Sequence, residues 1–217
     1  IMNQLRNNIE TKSGQPIYIS ACPAWIKYAE QFMPEIIPQL STVKSPQQIT
    51  GILIKTLVAE ESGVKPEKIF SVSATPCMAM KFEARRDGMM RKGISDVDSV
   101  MTVRELVRLI RLYGIDVTNI EPEPVDEPIS GLTSSALLAE VSGGIAEAVI
   151  RLLLFNKNGR EADRQIFKKL RTGSQFRELS VKTEETEINI AIVDGLKGLE
   201  KLKIAQAAGK QYDLIEV

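Results

Sequence analysis

The alternation of apolar and polar residues in the first half of the chain predicts two strand–helix units. Residues 17–20 are rich in β-branched and aromatic side chains, as in a short strand, and residues 24–33 have helical spacing. Ser45-Pro46 is typical of a helix start, and the apolar positions that follow predict a helix to about Ser62. A second strand is predicted over residues 68–74. This β-α-β order favours a parallel sheet with helices on its faces.

The pattern changes after an acidic, proline-rich segment. A short strand over residues 96–102 and an amphipathic helix over 104–113 come before it. Residues 116–129 then contain three prolines among several carboxylates, which predicts a solvated linker between two lobes. Residues 132–155 follow as a long helical region that is interrupted at 142–144.

The last part of the chain predicts a second sheet. Phe176–Lys182 and Glu187–Val193 alternate as an antiparallel pair, and a helix over 196–207 leads to a final strand over 212–217. We therefore predict an α/β fold of two lobes, residues 1–122 and 123–217. Each lobe is expected to be a small, mostly parallel or mixed sheet flanked by helices, with a cofactor cleft between the lobes at the carboxyl ends of the strands.

Both cysteines follow a predicted strand and precede a predicted helix. Cys22 comes directly before Pro23, and Cys77 comes directly after Pro76. Backbone N–H groups at a helix N-terminus favour an anion, so both positions suit a thiolate ligand. The alternative is a pair of buried structural thiols, which are common in cytosolic proteins. Two thiols alone do not complete a tetrahedral metal site.

Composition removes several classes of function. The chain has 28 Lys and Arg against 28 Asp and Glu, which argues against a nucleic-acid or anionic-membrane partner. No apolar run is long enough to span a bilayer. The absence of histidine excludes Ser-His and Cys-His catalysis and histidine metal sites. Two cysteines make no disulfide framework, and a reducing cytoplasm is the expected setting.

Adjacent glycines, Gly143 and Gly144, interrupt the long helical region directly after Ser142. Each glycine within a helix costs about 1 kcal/mol relative to alanine, so the pair predicts a local structural reason. That reason is a close approach of another backbone segment or a helix start that binds an anion. A plain break between two helices is the alternative.

Five segments carry a family pattern in order along the chain. They are Cys22-Pro23 with Trp25, Lys44-Ser45-Pro46-Gln47-Gln48, Thr75-Pro76-Cys77 with Lys81-Phe82-Glu83, Ser142-Gly143-Gly144-Ile145 with Glu147-Ala148, and Lys210 to Val217. The first three resemble the first two signature motifs of FeFe-hydrogenases and the segment between them. The fourth is similar to the Gly-Gly segment of that family, and the fifth to the strand that leads into its third motif.

The resemblance implies an H-cluster. In the family, four cysteines hold a 4Fe–4S cube, and one thiolate also bridges to a di-iron centre with CO and CN⁻ ligands. On this pattern Cys22 and Cys77 are two of the cube ligands, and the third motif, with the other two cysteines, is expected directly after Val217. The other positions that would line the cofactor are Ala21, Met80, Lys81, Pro76, Gln47, Ser142 and Gly143.

The chain departs from the family pattern at positions that handle protons. A cysteine that passes protons in the family is Ala21 here, and a methyl group cannot carry a proton. A lysine that donates to a cyanide ligand is Met80 here, with Lys81 next to it. Glu83 and Ser41 match a retained glutamate and the relay serine of the family, so they are the residual candidates for a proton path.

The upstream part of the family's proton relay is also changed. The family places carboxylates and an arginine on the helix before the first motif. The corresponding positions in this chain are Ile1, Gln4 and Asn8. Fast hydrogen chemistry needs groups of suitable pKa for proton delivery, so these changes predict slow turnover.

Three functional hypotheses follow from the resemblance. The first is a slow, sensory or regulatory domain that responds to H2 or redox state and can adjoin a signalling domain. The second is a working hydrogenase (2H⁺ + 2e⁻ ⇌ H2) that uses another proton path. The third is a non-catalytic iron–sulfur or scaffold relative. A ferredoxin-like electron donor or accessory iron–sulfur domains are the expected partners.

Overall fold

The computed structural model describes residues 1–11, 13–126, 134–139, 141–171, 173–183 and 186–217. The helices are α1 (Met2–Glu10), α2 (Pro23–Phe32), α3 (Pro46–Leu53), α4 (Ala59–Ser62), α5 (Ala79–Glu83), α6 (Val103–Leu112), α7 (Ser134–Leu138), α8 (Gly144–Asn158), α9 (Lys168–Arg171) and α10 (Gly195–Ala207). The strands are β1 (Ile17–Ile19), β2 (Val72–Thr75), β3 (Met90–Arg91), β4 (Ile94–Ser95), β5 (Ser99–Thr102), β6 (Phe176–Lys182), β7 (Glu187–Val193) and β8 (Leu214–Glu216). A π-helical turn, Ile54–Val58, joins α3 to α4, and 3-10 turns cover Pro34–Gln39, Pro66–Lys68, Val117–Asn119 and Arg164–Phe167.

The chain divides into two units. The first unit consists of Ile1–Ala21, Trp25–Val43 and Leu132–Val217. Its four-stranded sheet has the order β1-β8-β7-β6, in which β1, β8 and β7 run parallel and β6 is antiparallel to β7. Because β1 pairs with β8, the N-terminal segments belong to the same unit as the C-terminal part of the chain.

Alternation along the central strands builds a core on each face of this sheet. Side chains such as Ile19, Ile190 and Leu214 pack on one face with α1, α8 and α9. Tyr18, Ala191 and Ile215 point to the other face and pack with α2 and α10. Strands that are buried on both faces are typical of parallel pairing with helical cover.

The second unit consists of Cys22–Ala24 and Lys44–Gly131. It contains the parallel pair β2–β5, the hairpin β3–β4 and the helices α3 to α6. Polar groups provide much of its buried interior: Lys55 pairs with Asp98 at 2.6 Å, and Lys44 pairs with Asp96. On α6, by contrast, the apolar side chains of Val103, Val107 and Leu112 are exposed.

Small parallel and mixed sheets flanked by helices confirm the predicted α/β fold class. The observed units differ from the predicted division at residue 122, because the sequence pattern carries no sign that β1 pairs with a strand near residue 215. Among the described residues, no helix combines the length and apolar character that crossing a bilayer requires.

Candidate functional site

Cys22 lies between the end of β1 and the start of α2, and its side chain is exposed. The strand end is held by Ser20, whose Oγ donates to the carbonyl oxygen of Val217 at 2.6 Å. Ala21 is half-buried and offers only a methyl group. Residues 22–24 belong to the second unit, which also contains Cys77. The structure therefore places both thiols in one unit.

Cys77 lies in the turn between β2 and α5 and is half-buried. Its backbone N–H donates to Thr75 Oγ1 at 3.2 Å, and its carbonyl oxygen accepts from the N–H of Met80 at 3.3 Å. These two bonds fix the backbone on both sides of the thiol. Pro76, within the same turn, is exposed.

Lys81 is held in an ion pair with Glu105. Its Nζ lies 2.5 Å from both carboxylate oxygens. Glu105 also completes a capping box with Thr102 at the start of α6. Hydrogen bonds lower the pKa of Glu105 to about 2. The bond from Lys81 has the largest effect, and the backbone N–H and hydroxyl of Thr102 add to it. Lys81 therefore has a structural partner on α6.

Glu83 is buried and lies among neutral hydrogen-bond donors from the first turn of α3. Its Oε2 accepts from Ser45 Oγ at 2.7 Å and lies 3.4 Å from the amide nitrogens of both Gln47 and Gln48. The same Gln47 amide nitrogen is 3.4 Å from the carbonyl oxygen of Met80. The structure thus brings together three of the predicted site residues, Glu83, Gln47 and Met80.

Ser41 belongs to the first unit and lies beside α1. Its Oγ donates to Gln4 Oε1 at 2.8 Å, and Gln4 Nε2 donates to Thr42 Oγ1 at 3.0 Å. The predicted relay positions Gln4 and Ser41 are therefore in direct contact. An amide stands where the resemblance expects a carboxylate.

The Ser142-Gly143-Gly144 segment forms the start of α8. A carboxylate of the same chain accepts hydrogen bonds from the backbone N–H groups at this helix start. Glu216, at the end of β8, is only 6% exposed. Its oxygens accept from the N–H of Gly143 at 2.8 Å and of Ala146 at 2.6 Å. The anion predicted at this helix start is thus an internal side chain.

Close backbone approach, the other predicted reason for the glycines, is also observed. A Cβ on Gly144 would lie 1.6 Å from the carbonyl oxygen of Leu138, and one on Gly143 would lie 2.7 Å from that of Leu170. Gly143 also has a φ of +84°, which favours glycine. Ser142 contacts Asp194, which forms an ion pair with Arg177. Ser142 and Gly143 therefore have structural partners in the first unit.

Glu216 is the functional candidate that the residue pattern alone does not single out. The available signal is an acidic residue that follows two apolar residues in the final strand, because a buried carboxylate requires donors. The identity of those donors depends on the packing of β8 against α8. Local sequence does not encode that packing.

Lowering the pH should favour the wild-type fold over a Glu216→Gln variant. Burial raises the pKa of Glu216 above 4.5, against the opposing effects of the N–H groups of Ala146, Gly143 and Ile145 and of Arg177. A group whose pKa is raised by folding contributes stability at low pH and loses that contribution as the pH rises through the folded-state value. The difference in unfolding free energy, wild type minus variant, should therefore increase from pH 7.5 to pH about 4.5. Urea denaturation at each pH measures it, and parallel pH curves for the two proteins would contradict the assignment.

The fit of these residues to an iron–sulfur cube is incomplete. A 4Fe–4S cube takes four protein ligands, whereas this sequence contains two cysteines and no histidine. Among the described residues, no group of three or more His, Cys, Asp and Glu side chains could hold a metal ion. The two thiols of this chain are fewer than the four that a cube requires, so the residues present do not fit the whole cofactor.

Comparison with known proteins finds one family and several relatives that are similar to the whole chain. The family described as iron-only hydrogenase large subunit, C-terminal domain, matches residues 1–217. Iron hydrogenase 1 of Clostridium pasteurianum is 33% identical over 215 residues, which is 99% of this chain and 38% of that protein. Cytosolic iron-sulfur assembly component 3 of Mus musculus is 32% identical over 228 residues, or 100% of this chain and 47% of that protein.

A solved structure shows the same fold. An apo FeFe-hydrogenase from Chlamydomonas reinhardtii superposes with a TM-score of 0.77 at 24% identity, covering 99% of this chain and 62% of that one. The chain spans less than half the length of the two curated relatives described above.

Proposed function

The chain belongs to the iron-only hydrogenase large-subunit family, and from this premise we propose that it is a hydrogenase-like H-cluster domain of a slow, sensory or regulatory kind. The whole protein would respond to H2 or redox state with little turnover. Cys22 and Cys77 would provide two of the thiolate ligands. Further thiolates are required for a complete cube.

The contact between Gln4 and Ser41 is the observation that carries this proposal. The two side chains are hydrogen-bonded at 2.8 Å, as two neighbours in a relay must be. The amide of Gln4 does not exchange protons near neutral pH, because Gln has no titratable group. Together with the methyl group at position 21, this contact supports a relay that keeps one pair of hydrogen-bonded neighbours but lacks titrating groups.

A working hydrogenase with another proton path is less well supported. Its residual candidates, Ser41 and Glu83, are each hydrogen-bonded to neutral side chains. Ser41 bonds to Gln4, and Glu83 bonds to the first turn of α3. Lys81, the candidate to replace the family's lysine beside Met80, is engaged by Glu105.

Iron–sulfur assembly is the second candidate function. A specific observation favours it: a protein named cytosolic iron-sulfur assembly component 3 matches the whole length of this chain at 32% identity. In this case the protein would bind a cube or act as a scaffold without hydrogen chemistry. For either function we propose a cytoplasmic location, and for the sensory function a ferredoxin-like electron donor or accessory iron–sulfur domains as partners.

Three measurements separate these functions: iron content, infrared bands and hydrogen turnover. They are made on the full-length protein after maturation with the hydrogenase assembly machinery. We expect CO and CN⁻ bands together with weak H2 evolution from reduced methyl viologen. Turnover typical of an enzyme, at about 1–10³ s⁻¹, would refute the sensory function and support the working hydrogenase. Iron at about four per chain without infrared bands would instead support the assembly function.

A further inference from the structure

Glu83 is a buried carboxylate without a cationic partner. Its side chain is 6% exposed, and no ion pair within the described residues includes it. Burial of an isolated charge is costly unless hydrogen bonds compensate for it. Here the compensation comes from Ser45, Gln47 and Gln48, which are all at the start of α3. The carboxylate is also near the positive end of that helix.

Ser45 couples this carboxylate to the helix itself. It is the N-cap of α3, and its Oγ accepts from the backbone N–H of Gln48 while donating to Glu83. Gln48 is completely buried, and its Oε1 has no partner. If the amide were rotated by about 180°, its Oε1 would face the carboxylate, and two acceptor oxygens cannot form a hydrogen bond. Glu83 therefore determines the orientation of the Gln48 amide.

Gln47 extends the cluster to both sides of the Cys77 turn. Its Oε1 accepts from Ser73 Oγ on β2 at 2.8 Å. Its Nε2 is 3.4 Å from the carbonyl oxygen of Met80 on α5. The turn that carries Cys77 joins these two elements, β2 and α5. One amide therefore connects the strand before the thiol to the helix after it, and Glu83 lies 3.4 Å from that amide.

We propose that Glu83 is a positioning residue that fixes the Cys77 turn through Gln47. Three donors from the start of α3 converge on one of its oxygens, Oε2, while its own backbone belongs to α5. Removing the carboxylate would therefore release the start of α3 from α5 and leave the Gln47 amide without one of its acceptors. This inference is independent of the sensory function proposed above.

The test measures the reactivity of the Cys77 thiol in the iron-free, full-length protein. Iodoacetamide labelling, resolved by peptide mass spectrometry, gives the rate at Cys77 with Cys22 as an internal reference. In Glu83→Ala we expect labelling of Cys77 to accelerate about tenfold while Cys22 changes less than about twofold, because the turn opens locally. Glu60→Ala, on the exposed face of α4, is the matched control and should behave like the wild type.

Glu83→Gln tests whether hydrogen bonding without a negative charge is enough to hold the turn. Its carbonyl oxygen accepts hydrogen bonds from Ser45 and one glutamine but carries no titratable proton. We expect it to keep the Cys77 labelling rate within about threefold of the wild type, well below the rate of Glu83→Ala. Equal acceleration of Cys77 labelling in the two variants would overturn the proposal.

A second variant covers the case in which Glu83→Ala does not fold. Ser73→Ala removes the donor to Gln47 on β2 and leaves the buried carboxylate in place. We expect it to accelerate Cys77 labelling by a smaller factor, again without effect on Cys22. An unchanged Cys77 rate in whichever of these two variants folds would overturn the positioning role. The thiol assay involves no hydrogen chemistry, so failure of the sensory proposal leaves its result intact.

Discussion

Replacing Ala21 by Cys and Gln4 by Glu together should raise the hydrogen turnover of the matured full-length protein by about 10²-fold or more, the usual contribution of general acid–base groups. The first substitution supplies a thiol at the position that the family uses for proton transfer. The second places a carboxylate against Ser41, whose Oγ already lies 2.8 Å from the side-chain oxygen of Gln4. The relay needs no new backbone geometry.

The single variants provide the internal control for this prediction. A proton relay that lacks one of its groups transfers protons slowly. Ala21→Cys or Gln4→Glu alone should therefore raise hydrogen turnover much less than the pair does. Double-mutant cycles detect this kind of positive coupling. Gln31→Glu, on the exposed face of α2, adds the same charge away from the relay and should have no effect. Methyl viologen-driven H2 evolution is measured for the four variants and the wild type. If the double variant stays at the wild-type rate, the groups missing at positions 4 and 21 are not what limits turnover.

Gly144→Ala should destabilise the first unit severely, by about 3 kcal/mol or more, the upper part of the range for overpacked interiors. The added Cβ would stand 1.6 Å from the carbonyl oxygen of Leu138 and 2.5 Å from its carbonyl carbon. Both are backbone atoms, so no side-chain rotation relieves the clash. The turn between α7 and α8 would have to move, and with it the N–H groups that hold Glu216.

Gly209→Ala is the matched control for this variant. Gly209 has a φ of +90°, and a Cβ added there would have no neighbouring atom within 4 Å. Alanine at this position therefore meets only the backbone strain of about 1–2 kcal/mol. Thermal unfolding of the wild type and the two variants gives the comparison. An equal loss of stability in the two variants would show that contact with Leu138 is not what requires glycine at position 144.

Local patterns predict the fold where each element is determined by its own residues. The antiparallel pair Phe176–Lys182 and Glu187–Val193 is predicted to the residue, because strict alternation and a short turn define it. Ser45 is predicted as a helix start, and its side chain accepts a capping hydrogen bond from the N–H of Gln48. The hairpin β3–β4 is not predicted, since strands of two residues leave no periodic signal.

The sequence does not predict the partners of site residues when those partners are distant in the chain. Lys81 pairs with Glu105, which is 24 residues further along, and its place beside the cofactor stays a prediction. An anion is predicted at the start of α8, yet its source is Glu216, 73 residues after Gly143. In both cases residue type indicates the chemistry, whereas tertiary packing decides which groups meet. The ligand roles of Cys22 and Cys77 stay predictions.

The pairing of β1 with β8 has a consequence for the biogenesis of the protein. Ile17 lies opposite Leu214, so β1 reaches its neighbour only after nearly the whole domain has been synthesised. At about 5–20 residues per second, a ribosome needs about 10–40 s to cover that distance. During this time β1 lacks its β8 partner, and Leu40, which bridges to Tyr18, is the pairing segment that is already available. The sheet of the first unit is therefore completed only after β8 has been synthesised.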